Sequence, residues 1–191
     1  MSHELKLESL RGIFFTHGHF DHMGGLHSLL GFLRMIGRQE ELPLYSPKDC
    51  TEVNAAIIGF ISCYPETIPF QIFARECPPR EVIDFAGMTI EAYPVIHCGD
   101  IERAGTLKPV PAVGYRISCN GETVAISGDT ADCPALRELI RDADVAFIEA
   151  TFPSNTEVSK ETLAKTHLTE DQAIAIGKTA GEYILVHKGS R

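Results

Sequence analysis

The residues most able to do chemistry lie in one short segment near the start of the chain. Three of the eight histidines and one aspartate fall within residues 16–22, which read THGHFDH. In an extended loop, residues i, i+2 and i+4 share a side, so His17, His19 and Asp21 can converge while His22 begins the turn toward the next helix. Imidazole binds zinc and similar metals, and a carboxylate among imidazoles can bind one ion or bridge two. The segment therefore predicts a metal site.

Further candidate groups stand at the ends of predicted strands. Each of five residues lies at, or just past, the end of a short run with β-strand character: His17, His97, Asp129, Glu149 and His187. In sheets covered by helices, active groups collect at such ends. We interpret the five residues as potential metal ligands or proton carriers.

Hydrophobic periodicity and turn residues predict the elements that position these groups. In chain order they are a strand over 13–16, a helix over 26–36, a strand over 42–46, a helix over 51–62, strands between 81 and 97, a hairpin of 113–118 and 122–127, a helix from 134, a strand over 144–149, a helix opening at 169 and a strand over 183–187. Hairpins dominate the middle of the chain, and strands alternate with helices late in it. This order predicts a mixed α/β (α+β) fold.

Length and composition narrow the possible classes of protein. The 191 residues suit one domain, and the hydrophobic content of 44% with a charged content of 23% is ordinary for a globular protein. No apolar run reaches the roughly 18 residues that a membrane span needs. Seventeen basic against 26 acidic residues give a formal charge of −9, which argues against a broad basic face for nucleic acid.

The cysteines and the first residues bear on the compartment. Six cysteines are scattered without a CxxC pair, and charges interrupt the first 15 residues where a secretory signal would be apolar. We expect reduced thiols and a cytoplasmic location, with no membrane partner.

The HxHxDH pattern of residues 17–22 resembles the signature of the metallo-β-lactamase superfamily of metal-dependent hydrolases. The likeness continues with a lone histidine at a strand end (His97), a Gly-Asp-Thr aspartate (Asp129) and a late histidine after an apolar strand (His187). It spans residues 13–187, which is nearly the whole chain. The resemblance implies an αββα sandwich with a two-metal site at one edge of its sheets.

The same resemblance implies a set of metal ligands. His17, His19 and His97 would hold a first zinc ion, Asp21, His22 and His187 a second, and Asp129 would bridge the two. Manganese or iron would also tolerate such ligands.

Two further segments resemble motifs of particular members of the superfamily. Residues 148–152, IEATF, look like the EATF motif of ribonuclease Z, and residues 166–169, THLT, look like its HST motif. The HLT form also resembles the class II cyclic-nucleotide phosphodiesterases. Both relatives cleave phosphodiesters, so the resemblance implies attack on phosphorus by a hydroxide that bridges two metal ions.

The catalytic roles follow from that chemistry. We expect Asp21 to orient the nucleophile as well as bind metal, and His167 to give a proton to the departing oxygen. Glu149 is expected to orient His167, although an ion pair at a strand end would explain the same residue.

The choice of substrate stays open between a small phosphodiester and the 3′ end of an RNA. Ribonuclease Z enzymes usually carry an arm that grips transfer RNA between the third metal motif and the Gly-Asp-Thr aspartate. Only residues 98–112 are free for an arm here, and Arg103 and Lys108 are balanced by Asp100 and Glu102. This composition disfavours transfer RNA.

The start of the chain departs from the superfamily pattern. Only 16 residues precede His17, where the superfamily normally places several strands. We therefore expect one metallo-β-lactamase-like domain over residues 1–191 that lacks some N-terminal strands. An open sheet edge invites association, so we also expect a homo-oligomer.

Two other functions remain possible on the sequence alone. A thioester or lactone hydrolase would use the same seven ligands but would not need His167 as a proton carrier. A non-catalytic module could keep the metal site without turnover.

Overall fold

The computed structural model describes residues 7–101 and 107–189, and the chain divides into two compact units, Met1–Cys77 (unit 1) and Pro78–Arg191 (unit 2). Glu102 and Arg103, which entered the prediction about an arm, lie outside the described residues. Among the described residues, no helix has both the length and the apolar character that a bilayer crossing needs. The single domain over residues 1–191 stays a prediction.

Unit 1 combines a small parallel sheet with helices. After a 3-10 turn at Leu7–Ser9, its elements are β1 (Ile13–Phe14), α1 (Phe20–Met23), α2 (Leu26–Met35), β2 (Leu42–Pro47), α3 (Thr51–Cys63) and β3 (Ile72–Cys77). Within the described residues, β2 is the central strand and pairs in parallel with β1 and β3. The apolar stripe of α2 faces inward, so Leu30 and Leu33 are fully buried beside Phe60 of α3.

Two features of unit 1 differ from the sequence prediction. The strand predicted over 13–16 is confirmed only as Ile13–Phe14, because the chain turns away from the sheet before the histidines. Strand β3 was not predicted. Its middle residues, from Phe73 to Glu76, are exposed, so no alternation of apolar and polar residues marks them as a strand.

Unit 2 is built on a mixed sheet. Its elements are β4 (Val82–Phe85), β5 (Met88–Pro94), β6 (Cys98–Ile101), β7 (Leu107–Pro109), β8 (Val113–Cys119), β9 (Glu122–Ile126), α4 (Pro134–Ile140), β10 (Val145–Glu149), α5 (Lys160–Leu163), α6 (Glu170–Gly177) and β11 (Glu182–Val186). The main sheet has the order β11-β10-β9-β8-β5-β4 among the described strands. β6 and β7 form a short hairpin of their own, which periodicity did not predict.

Strand direction brings several chain segments to one edge of this sheet. β9, β10 and β11 are parallel neighbours, and β5 runs the same way as β9 because both pair antiparallel with β8. The carboxyl ends of these four strands therefore lie on the same side of unit 2. The segments that follow them carry His97, Asp129, Glu149 and His187.

Helices α4 and α6 pack against the sheet of unit 2. Leu136 and Leu139 of α4 and Ile176 of α6 belong to one buried apolar cluster with strand residues of the sheet. The predicted start of α6 is confirmed, since Thr169 and Gln172 form a reciprocal capping box. Leu168, beside that cap, is fully buried and holds the segment of His167 against the core.

Candidate metal centre

In unit 1 the histidine segment forms a tight group of imidazole rings. The ring centroid of His17 lies 4.1 Å from that of His22 and 4.7 Å from that of His19. Thr16 Oγ1 lies 3.2 Å from Nδ1 of His17, and His17 is fully buried. The structure thus brings the three predicted imidazole ligands of this segment together.

The extended backbone predicted for this segment is present at His19 but not at Asp21. The segment was expected to be extended, but Asp21 lies in α1, whose first turn closes when the N–H groups of His22 and Met23 donate to the His19 carbonyl. Because the chain turns there, the ring of His22 returns toward His17. Asp21 consequently lies beside His22, with Oδ2 3.5 Å from its Nε2, and its side chain is 46% exposed.

The glycine between His17 and His19, Gly18, is required for a steric reason. A Cβ atom at Gly18 would lie 2.7 Å from Oε2 of Glu52 and 2.9 Å from Sγ of Cys50. The segment can pass this close to the start of α3 only because Gly18 has no side chain. Neither Cys50 nor Glu52 was predicted to touch the segment, since they are more than 30 positions away in sequence.

In unit 2 the candidate groups meet at the carboxyl edge of the sheet. His97, Asp129 and His167 place one ligand atom each within 4.8 Å of one another. His187 Nε2 lies 3.5 Å from Asp129 Oδ2, and His167 Nδ1 lies 3.9 Å from the same oxygen. His97 and Asp129 are only 2% and 3% exposed, whereas His187 lies at the surface.

His97 is oriented by the backbone. Its Nδ1 lies 2.9 Å from the carbonyl oxygen of Thr166, and a carbonyl can only accept. Nδ1 therefore carries the proton, and Nε2 keeps its lone pair for a ligand. Metal-binding histidines are usually held in this way.

Glu149 lies at the centre of a hydrogen-bond network in unit 2. Its Oε1 accepts from the Thr130 N–H at 2.9 Å and lies 2.9 Å from Nδ1 of His167. Its Oε2 accepts from the N–H of Thr151 at 3.0 Å and from the Thr151 hydroxyl at 2.9 Å. Four contacts compensate the desolvation of a carboxylate that is 1% exposed. The expected contact between Glu149 and His167 is thus present, and its catalytic role stays a prediction.

Thr151, like Thr130, is a residue of this network that sequence reasoning missed. It is part of the EATF segment, two positions after Glu149, but a lone threonine carried no signal of its own. Its hydroxyl lies 3.1 Å from Nδ1 of His167 and 2.9 Å from Nδ1 of His187.

The cysteines take no part in the group. All six are free, and Cys98 and Cys133, the two nearest the candidate residues in sequence, are 6% and 4% exposed. Burial raises the pKa of the Cys98 thiol. The expectation of reduced thiols stays a prediction.

The donor atoms fit divalent transition metals. Each unit offers imidazole nitrogens with at least one carboxylate beside them, which is the ligand chemistry of zinc, manganese and iron. Unit 1 supplies His17, His19, Asp21 and His22, and unit 2 supplies His97, Asp129 and His187.

Comparison with known proteins gives a consistent result. The model of the β-lactamase superfamily domain matches residues 2–187. A ribonuclease Z from Bacillus velezensis is 30% identical over 228 positions, which include 98% of this chain and 72% of the relative. The alignment is 37 positions longer than this chain of 191 residues. Within the aligned region the relative therefore has at least 37 residues that have no counterpart in this chain.

Solved structures show the same fold. The short form of human tRNase Z matches with a TM-score of 0.76 at 20% identity and covers 98% of this chain and 76% of its own. The metallo-β-lactamase fold protein YhfI from Bacillus subtilis matches with a TM-score of 0.71 at 19% identity, over 98% and 68% of the two chains. The expected fold class is confirmed. The chain belongs to the β-lactamase superfamily and is a metal-dependent hydrolase.

Proposed function

We propose that this chain hydrolyses a phosphodiester bond at a two-metal centre. The observation that carries the proposal is the pair of His167 and Glu149, 2.9 Å apart, beside Asp129. Hydrolysis of a thioester or lactone with the same metal ligands needs no such proton carrier. The ribonuclease Z relative, whose name denotes cleavage of RNA, supports the same reaction type.

The proposed ligand assignment follows the superfamily pattern. His17, His19 and His97 would hold one ion, Asp21, His22 and His187 the other, and Asp129 would bridge them. Zinc is the first choice, and manganese or iron suits the same donors. Such ions, when bound, polarise the phosphoryl oxygens and lower the pKa of water toward neutrality.

The side chains of the chain supply the remaining steps. Asp21, with a 46% exposed carboxylate, would accept a hydrogen bond from the attacking water and orient it toward phosphorus. His167 would give a proton from Nε2 to the departing oxygen, because its Nδ1–H is engaged by Glu149. Glu149 would hold the ring and stabilise the protonated imidazole, as a positioning residue.

Two features of the chain favour a small phosphodiester over transfer RNA. A cavity of about 520 Å³ lies beside His97, within the size range of small-molecule sites. Its walls are mostly apolar, with one lysine: Val95, Ile96, His97, Cys98, Leu107, Pro109, Val110 and Lys165. The net charge of −9 disfavours a broad basic face for RNA.

Hydrolysis assays test the proposal directly. Metal-depleted protein is supplied with zinc or manganese and given bis(p-nitrophenyl) phosphate and, separately, an aryl thioester. The proposal predicts metal-dependent release of nitrophenolate, and a fall of about 100-fold or more in kcat for His167→Ala. His27→Ala is the control, since the ring of His27 packs edge-on against Phe60 in unit 1.

Other results would select another function. Thioester hydrolysis that survives His167→Ala would favour the thioester or lactone hydrolase. Bound metal without turnover of either substrate would favour the non-catalytic module. If RNA with a 3′ extension is cleaved with a higher kcat/KM than the small diester, the preferred substrate class is wrong.

A further inference from the structure

Thr151 lies between the two histidines that flank the Asp129 carboxylate in unit 2. Its hydroxyl oxygen is 2.9 Å from Nδ1 of His187 and 2.9 Å from Oε2 of Glu149. One side-chain atom therefore joins a proposed metal ligand to the buried carboxylate that also contacts His167.

The direction of these hydrogen bonds follows from the donors that each group has. A hydroxyl has one proton and can donate once, while a carboxylate can only accept. A bond to a charged acceptor is stronger than one to a neutral ring nitrogen, so the Thr151 proton goes to Glu149. The hydroxyl oxygen is then an acceptor toward His187, whose Nδ1 must carry the proton. The Nε2 of His187, 3.5 Å from Asp129, keeps its lone pair for a metal ion.

The backbone around His187 is held by Thr151 and its neighbour Ala150. His187 has a φ of 50°, in the left-handed region that non-glycine residues adopt at a cost. The N–H of Gly189 donates to the carbonyl of Thr151 at 3.1 Å, and the N–H of Ala150 donates to the carbonyl of Val186 at 3.0 Å. These two bonds tie the chain on both sides of His187 to the end of β10. A Cβ atom at Gly189 would lie 2.6 Å from the Thr151 carbonyl, so the approach requires glycine.

We propose that Thr151 is a positioning residue that fixes His187 in its Nδ1-protonated form and couples its orientation to that of His167 through Glu149. The inference rests on the proposed function, since it treats His187 as a metal ligand. It adds that both histidines depend on the Glu149 carboxylate. The proton donor His167 contacts that carboxylate directly, and the metal ligand His187 is linked to it through the hydroxyl of Thr151. Loss of that hydroxyl should therefore weaken metal binding and leave the ring protonation of His167 unchanged.

The decisive variant is Thr151→Val, which keeps the shape of the side chain and removes the hydroxyl. Metal affinity, measured by competition with a chelator, should fall about 10- to 100-fold, as when a hydrogen-bond partner of a metal ligand is lost. Long-range ¹H–¹⁵N spectra of the metal-free protein should show His187 protonated at Nδ1 in the wild type and shifted toward Nε2 protonation in the variant. His167 should remain protonated at Nδ1 in both, because Glu149 is unchanged.

Thr151→Ser retains the hydroxyl and should restore both metal affinity and the Nδ1-protonated form. Thr89→Val is the matched control on an exposed residue of β5 and should behave as the wild type. The inference is overturned if Thr151→Val binds metal like the wild type, or if Thr151→Ser is as impaired as Thr151→Val. It is also overturned if His187 of the wild type is protonated at Nε2, a measurement that needs no variant to fold.

These outcomes are separate from failure of the proposed function. A wild type that binds no metal or leaves the phosphodiester intact would refute the function. The inference fails instead when the wild type binds metal and hydrolyses the diester but Thr151→Val leaves metal affinity and ring protonation unchanged.

Discussion

The two units provide metal-ligand chemistry in different ways. In unit 1 the candidate ligands come from one run of six residues, and their rings pack against one another at centroid distances of 4.1 and 4.7 Å. In unit 2 the candidate ligands and proton carriers come from separate segments at four strand ends and beside the cap of α6. The protein holds each ring there by Nδ1: His97 by Thr166, His167 by Glu149 and His187 by Thr151.

This difference suggests a division of roles. Hydrogen bonds orient the imidazole rings of the candidate group in unit 2, which is how sites achieve accurate geometry. The segment of unit 1 depends on close packing of the backbone at Gly18. Substitutions in unit 1 and in unit 2 should therefore impair the protein in different ways, and the following variants test that difference.

The largest effect is expected for Glu149→Gln. An amide presents N–H donors to groups that already donate to Glu149, namely Thr130, Thr151 and His167. His167 loses its orientation, so kcat for the phosphodiester should fall about 100-fold or more. Steady-state hydrolysis measures this, with Glu122→Gln on the exposed hairpin as control. A kcat within about threefold of the wild type would refute a role for the network.

A stability effect should follow from packing in the unit 2 sheet. A Cβ atom at Gly114 in β8 would lie 2.4 Å from Cδ2 of Leu139 and 2.9 Å from the carbonyl oxygen of Ile126. We expect Gly114→Ala to lower the free energy of unfolding by about 1–3 kcal/mol in chemical denaturation. Gly59→Ala in α3 meets nothing within 4 Å and should raise it by about 0.5–1 kcal/mol. Equal effects at the two positions would contradict the packing argument.

A smaller and local effect is expected for Gly18→Ala in unit 1. The new Cβ would contact Glu52 and Cys50 and displace the histidine segment, while the apolar core around Leu30 is untouched. Metal affinity should fall about tenfold with little change in the unfolding midpoint, as measured by chelator competition and thermal denaturation. Gly25→Ala, with open space around the new Cβ, is the control. A large loss of stability without loss of metal would show that Gly18 serves the core instead.

The smallest effects concern the thiols. Burial raises the pKa of Cys50 in unit 1 and of Cys98 in unit 2, so both carry less thiolate than an ordinary cysteine at pH 8. Cys63 is exposed. Iodoacetamide should modify Cys63 first and the two buried thiols about ten times more slowly, with their rates still rising above pH 9, as peptide mass spectrometry can follow. Equal labelling rates in the folded protein would show that the two thiols are accessible.

The sequence predicted the fold and the candidate ligands unevenly, for physical reasons. Helix α2 and the capping box at Thr169 were predictable because their signals are local. The turn at His19 was missed because a helical turn of four residues is too short to show periodicity. Strand β3 was missed because its middle residues are exposed, so pairing with β2 and not burial defines it.

The hydrogen-bond network was beyond the reach of sequence analysis. Glu149 and His167 were singled out by resemblance, but the place of Thr151 depends on where β11 ends beside β10. Contacts between residues 36 positions apart follow from strand register, which the spacing of residue types does not record.

The central proposal is that the seven predicted ligands bind two metal ions and that hydrolysis needs them. The most direct test is the metal content per chain, by mass spectrometry, for the wild type, His17→Ala and Asp129→Asn, with diester hydrolysis measured on the same samples. We expect about two ions per wild-type chain, fewer in each variant, and loss of hydrolysis in both. Full hydrolysis by His17→Ala with one ion still bound would contradict the proposal, because a two-metal centre would then not be needed.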